Sequence, residues 1–317
     1  MGRSFRKFAI LTVIAVIFLI FVGGFVRATG SGMGCPDWPR CFGMWVPPTS
    51  VEQLPANYQE VFGAKLKGEV EFNAVKTWTE YVNRLVGVSV GIFIFITVIL
   101  AYRAYFRTER KIFYICLLAF LMVAFQGWLG AKVVSSELAP GLITLHMVVA
   151  VLILALLIWA VLKSYADHPL IRGNEKKADI QFLLMMALFV TTGQIVFGTQ
   201  IREGIDLAQR LLGDHNRGLW IHEVKGKVVF HAALSVIILV LHSILFKKIK
   251  GRFGSTVLRS FALWGLILVV IGIVSGSLLS LAGFPAMMQP LHLTLSVVII
   301  SIQFILYFIL SPDNNNK

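Results

Sequence analysis

Charge is what this sequence has least of. Asp, Glu, Lys and Arg make up only 14% of its 317 residues, and the acidic share is 16 residues against 29 basic ones. Hydrophobic residues account for 57%, and the mean hydropathy is +0.80. A soluble chain does not carry repeated apolar runs of about 20 residues, the length a helix needs to cross a bilayer. The scarcity of charge therefore excludes a soluble fold and implies an all-α membrane protein. A formal charge of +13 in a soluble protein suggests a nucleic-acid partner. Here most cations lie between apolar runs, where they set topology, so no nucleic-acid partner is expected. Cysteine is scarce too. Of the three, Cys116 sits inside an apolar run as a small buried hydrophobe, while Cys35 and Cys41 share a Gly/Pro-rich segment.

What is present is a set of eight apolar runs, at 8–26, 77–102, 112–132, 142–162, 180–199, 227–246, 257–281 and 291–310. The first is longer than the apolar part of a signal peptide, and no small-x-small cleavage site follows it. It is expected to be the first spanning helix. Cations cluster after the second run (Arg103, Arg107, Arg110, Lys111), the fourth (Lys163, Arg172, Lys176, Lys177) and the sixth (Lys247, Lys248, Lys250, Arg252, Arg259). Positive loops stay cytoplasmic, which predicts both termini inside a bacterial-type cell membrane and the long connections 28–76 and 200–226 outside.

Histidines stand near the starts of three runs: His146, His231 and His292. The matching place in the second run holds Asn83. All four lie on helices running from outside to inside, hence in the outer half of the membrane. From Asn83 to His231 is 148 residues, and from His146 to His292 is 146. Gly127 and Gly130 precede His146 much as Gly272 and Gly276 precede His292. Small residues so spaced let helices, or a flat macrocycle, approach closely. These offsets predict two pseudo-symmetric four-helix bundles related by an axis along the membrane normal, residues 1–170 and 171–317.

A histidine in lipid-spanning sequence is costly and usually functional. His231 and His292 can hold a haem iron from both faces, or each can bond a carbonyl or water; pairing at matched depth favours haem. Zinc is the weaker alternative, with no third or fourth Cys, His or carboxylate ligand nearby. His146 with Asn83 offers haem one strong ligand and an open or weakly held face, or else Asn83 merely hydrogen-bonds within the bundle. Glu80 shares a helical face with Asn83 and can move protons or stabilise positive charge. Arg84 can pair with Glu80 or a haem propionate. Arg27 and Arg202 are weaker propionate candidates, balanced against interfacial anchoring. Cys35 and Cys41 lie on the outer side, where disulfides persist, so a disulfide is expected, as a staple or a redox-active pair. His168, His215 and His242 read as solvated or structural. His222 reads the same way, unless its outer loop carries it over a haem edge.

Taken together, these residues resemble the haem A synthase family. The resemblance rests on Val26-Arg27-Ala28-Thr29-Gly30-Ser31-Gly32, the two cysteines after it, Glu80-x-x-x-Arg84, and single histidines opening runs four, six and eight. It covers nearly the whole chain. It implies an eight-helix enzyme, a haem-dependent oxidoreductase that converts the C8 methyl of haem O to a formyl group, giving haem A. It implies haem b as a cofactor on His231 and His292, His146 as ligand to the substrate haem, an essential Glu80, and a Cys35–Cys41 disulfide with a part in electron or haem transfer. Haem O synthase, an electron donor and a homo-oligomer are the protein partners so suggested, beside the lipid bilayer. The family pattern has a histidine where this chain has Asn83, which leaves the second ligand of the substrate haem unassigned, whether in a natural subgroup or an engineered substitution. Two readings of another class stand beside the enzyme: a membrane cytochrome b that carries electrons, and a haem transporter or chaperone.

Overall fold

The computed structural model describes residues 1–63, 71–165 and 178–311. Among these residues there is no strand, and the β-bridge recorded is Cys41 with Met44. The helices are α1 (Gly2–Ala28), the short α2 (Tyr58–Phe62), α3 (Ala74–Tyr105), α4 (Arg110–Ser135), α5 (Pro140–Lys163), α6 (Ala178–Leu212), α7 (Arg217–Arg252), α8 (Thr256–Leu281) and α9 (Met288–Ile309). All but α2 are long and apolar enough to cross a membrane, so the protein is a multi-pass membrane protein. Helices suit that setting because each satisfies its own backbone donors and acceptors where no water can. Large apolar side chains face outward along the spans, Phe189 at 78% and Leu281 at 84% exposure among them. Such a surface is stable only against lipid tails.

The spanning helices pack in two closed circuits. α1 lies on α3, α3 on α4, α4 on α5, and α5 returns to α1; α6 lies on α7, α7 on α8, α8 on α9, and α9 returns to α6. Between the circuits, α1 meets α9, α5 meets α6, and α5 meets α9. Val16, Ile94, Leu129, Leu154 and Leu157 are buried in one apolar cluster. Ile180, Leu184, Ile249 and Leu306 are buried in another. At the end holding the chain termini, Asp179 accepts Lys248 Nζ at 2.7 Å and Arg252 Nη1 at 2.5 Å, and the Arg6 guanidinium bonds the Ser164 carbonyl. The boundary expected at 170/171 and His168 lie outside the described residues.

The opposite end differs from the sequence expectation. Residues 200–226, expected as a long connection, are mostly helix: α6 and α7 continue past their apolar runs and turn only at 213–216, where Gly213 has φ +73°. Ile201, Ile205, Ala208 and Leu212 form a stripe at helical spacing that packs on Trp220, Val224 and Val228. Charged residues on the other faces lower the mean hydropathy and hide that stripe. Gly204 lets the pair close, since a Cβ there would lie 2.3 Å from Val224 Cγ1. His222 therefore stands exposed on a helix, not on a loop, and His215 is exposed in the turn.

At the same end, residues 29–63 fold as a cap. Cys35 and Cys41 are joined by a disulfide and pack with Phe42, Leu54 and Tyr58. Asp37 accepts the backbone N–H of Phe42 at 2.6 Å and of Gly43 at 2.9 Å, closing the disulfide loop on itself.

Candidate functional site

Each of the four residues at the starts of the apolar runs faces a glycine on the preceding spanning helix. A Cβ added to Gly23 would lie 3.9 Å from Asn83 Oδ1, one on Gly130 3.5 Å from His146 Cε1, one on Gly198 3.5 Å from His231 Cε1, and one on Gly276 3.0 Å from His292 Cε1. Each polar side chain thus lies against bare backbone. Of the two helix-opening glycines the sequence pointed to in α4, Gly130 makes this contact, while Gly127 has nothing within 4 Å of an added Cβ.

His231 on α7 and His292 on α9 come together, with ring centroids 6.2 Å apart and planes at 54°. An imidazole nitrogen lies about 2.0 Å from a metal it ligates and about 1.1 Å from its own ring centre, so two rings on opposite sides of one metal have centres roughly 6.2 Å apart. The observed centroid separation equals that spacing, so the pair could hold a single iron. His292 Nδ1 lies 2.8 Å from Ser275 Oγ, which leaves Nε2 to face a ligand. His231 Nδ1 is buried without a hydrogen-bond partner. Among the described residues no three His, Cys, Asp or Glu side chains gather as a metal cluster.

In the other circuit, His146 on α5 has its Nδ1 buried without a partner, and so does Asn83 Oδ1 on α3. No hydrogen bond joins the two. Buried polar atoms without partners are open to bonding by a ligand or a water molecule. Glu80, one turn before Asn83 and only 4% exposed, is fully engaged. Its Oε2 accepts Cys35 N–H at 2.8 Å, and its Oε1 accepts Arg84 Nη2 at 2.5 Å and Nε at 3.1 Å. Arg84 also donates to the carbonyls of Asp37 at 2.8 Å, Arg40 at 3.0 Å and Cys35 at 3.3 Å. Of the two partners weighed for Arg84 in the sequence, the observed one is Glu80. Gly34 makes this docking possible: a Cβ there would lie 2.4 Å from the Lys76 carbonyl oxygen.

Arg27 and Arg202 converge on one carboxylate. Asp206 takes Arg27 Nη2 at 3.0 Å and Arg202 Nη2 at 2.6 Å, and Arg202 also reaches the Arg27 carbonyl at 3.2 Å. This cluster ties α1 to α6. Asp206 was not singled out in the sequence, although an aspartate four residues after an arginine on a helix is a readable pairing signal. His242 is buried away from these groups, with Nδ1 2.9 Å from the Ile238 carbonyl and Nε2 3.4 Å from Gln303 Nε2.

A family model for COX15-CtaA, cytochrome oxidase assembly protein, matches residues 6–304. The chain belongs to this family. Among similar proteins, a Heme A synthase of Rickettsia felis is 25% identical over 350 residues, covering 97% of this chain and 98% of that protein. One of Geobacillus kaustophilus is 29% identical over 204 residues, 62% of this chain and 57% of its own length. One of Shewanella oneidensis is 25% identical over 188 residues, 59% of this chain and 54% of its own length. The chain thus spans just over half the length of the latter two and nearly all of the first. As a member of COX15-CtaA, it carries the paired histidines and the clamped Glu80 at the same end of its bundle as the disulfide cap. The sequence reading missed Ser275, Gln126 and Gln194, which touch the histidines; the glutamines could have been found from their place one turn before Gly130 and Gly198.

Proposed function

We propose that the protein is a haem A synthase, an oxidoreductase that oxidises the C8 methyl of haem O to a formyl group. The observation that carries this reading is the His231–His292 pair, at a spacing suited to one iron, in a chain of the COX15-CtaA family. Haem b is the group His231 and His292 hold, and when bound it supplies one-electron transfer between a donor and the substrate side. Haem O is the substrate, ligated by His146 in the circuit of α1, α3, α4 and α5. The two closed circuits support a division into a substrate half and a cofactor half, as two pseudo-symmetric bundles within 1–170 and 171–317. The charge of the connecting loops supports cytoplasmic termini and haem sites toward the outer side.

Glu80 works beside the substrate. The Cys35 N–H and the Arg84 guanidinium hold its carboxylate in one place. From there it balances positive charge, or accepts a proton, as dioxygen and two donor electrons per step oxidise the methyl carbon, one oxygen atom entering the carbon and the other leaving as water, first to an alcohol and then to a hydrated aldehyde that loses water. Asn83 leaves the second face of the substrate haem without an imidazole. The Cys35–Cys41 disulfide fixes the loop that grips Glu80, so its first role is to position that carboxylate. Haem O synthase as supplier and a separate electron donor complete the partners, and self-association is a further expectation.

Mass measurement of pigments extracted from the purified protein tests this reading. With a haem O supply, the native protein yields haem A, and Glu80→Ala blocks the conversion while bound haem remains. Unmodified haem alone from the native protein sinks the enzymatic reading and leaves an electron carrier. Haem delivered to an acceptor without modification points to a transporter.

A further inference from the structure

Two histidines in different circuits share one unexplained arrangement. His146 and His231 each keep a buried Nδ1 without a hydrogen-bond partner. Each also has a glutamine on the preceding spanning helix bonded to its own backbone: Gln126 Nε2 donates to the His146 carbonyl at 2.8 Å, and Gln194 Nε2 donates to the His231 carbonyl at 3.0 Å. The other end of each amide, Gln126 Oε1 and Gln194 Oε1, is buried and also unpartnered. Each glutamine stands one turn before the glycine that faces the imidazole. An unsatisfied acceptor and an unsatisfied ring nitrogen therefore accompany the same histidine, twice, at the same register.

The other two positions act as internal controls. His292 has glycine, Gly272, where the glutamine would stand, and its Nδ1 already has Ser275 Oγ at 2.8 Å. Asn83 has no ring nitrogen to serve, and Leu19 stands one turn before its glycine. A glutamine occurs where a histidine lacks another partner and is missing where it is not needed.

We infer that Gln194 and Gln126 are positioning residues that accept the Nδ1–H of His231 and His146, fixing the tautomer so that Nε2 faces the iron. The inference rests on the haem reading above. In the inferred arrangement the amide nitrogen stays on the backbone carbonyl and the imidazole turns so that Nδ1–H meets Oε1. That bond satisfies two buried groups at once, each costly to leave unmade. Histidines that bind metals nearly always donate their second ring N–H in this way, and the acceptor raises the basicity of the ligating nitrogen.

The test is a reductive titration of the b-type haem in the full-length purified protein, native and with Gln194→Leu, Gln194→Glu and Ser275→Ala. A more basic ligand favours the ferric state. Gln194→Leu and Ser275→Ala are expected to raise the midpoint potential, and Gln194→Glu to lower it, with the low-spin spectrum kept. Both Gln194 variants lose the amide bond to the His231 carbonyl, and a carboxylate lowers the potential by its charge alone, so the rise in Gln194→Leu is the deciding shift. Unchanged potentials, or shifts of one sign in both Gln194 variants, overturn the inference while leaving the haem reading intact. Should Gln194→Leu not accumulate, Gln194→Met takes its place: a potential above native supports the inference, and one at or below native overturns it. Absence of low-spin haem from the native protein overturns the haem reading and this inference together.

Discussion

The two circuits of helices present their glycine-facing polar positions differently. The α6–α9 circuit brings two imidazoles to 6.2 Å, both aligned on glycines. The α1–α5 circuit has one imidazole, His146, and an asparagine, Asn83, at its two glycine-facing positions, and adds a carboxylate, Glu80, clamped by a disulfide loop. Two strong axial ligands saturate an iron and suit it to electron transfer, whereas one leaves a face open for chemistry. Under the proposed function, the same local frame, a polar side chain lying on a glycine one helix away, would serve two purposes by the exchange of a few side chains.

The largest expected break in this comparison comes from Glu80→Ala. It removes the reacting-side carboxylate alone, so haem A formation should fall by about 100-fold or more, the usual range for a lost acid or base, while the low-spin haem on His231 and His292 keeps its spectrum. Loss of that spectrum too would show the two sites to be one structural unit. Asn83→His sharpens the contrast from the other side by giving the α1–α5 circuit a second imidazole. The substrate haem is expected to move from high to low spin, toward the ligand set of the family pattern; an unchanged spin state contradicts an open face at Asn83.

Smaller effects test the supports. Gly34→Ala puts a methyl 2.4 Å from the Lys76 carbonyl oxygen. Overpacking of this kind costs about 1–3 kcal/mol, and it should loosen the cap and lower product yield without altering the second haem. Thermal unfolding and pigment analysis on the same sample separate the two. Asp206→Asn withdraws the carboxylate shared by Arg27 and Arg202, groups of 20% and 17% side-chain exposure. Partial exposure screens the pair, so the expected loss is about 1 kcal/mol, read as a slightly lower melting temperature.

The eight spans were legible because lipid demands long apolar helices and little else. The extensions of α6 and α7 were not, since Ile201, Ile205, Ala208 and Leu212 bury only one stripe while Arg202, Glu203 and Asp206 depress the average. The positions of His146, His231, His292 and Asn83 could be read from the chain, because ionisable or polar groups stand out against an apolar run. Their partners could not. That Glu80 meets Cys35, 45 residues away in sequence, and that Asp206 meets Arg27, 179 residues away, depends on how distant helices pack. The cap was opaque for the same reason: Trp78 Nε1 to the Pro48 carbonyl and Tyr81 OH to the Trp45 carbonyl hold it to α3, and neither bond leaves a local pattern.

The central claim is that His231 and His292 grip one iron porphyrin between α7 and α9. Low-temperature electron paramagnetic resonance of the purified native protein and of the His231→Ala/His292→Ala double variant tests it most directly. The account predicts a low-spin ferric signal of two imidazole ligands in the native protein and its loss in the variant. That signal surviving the double substitution, or a native protein that copurifies with no porphyrin, contradicts it.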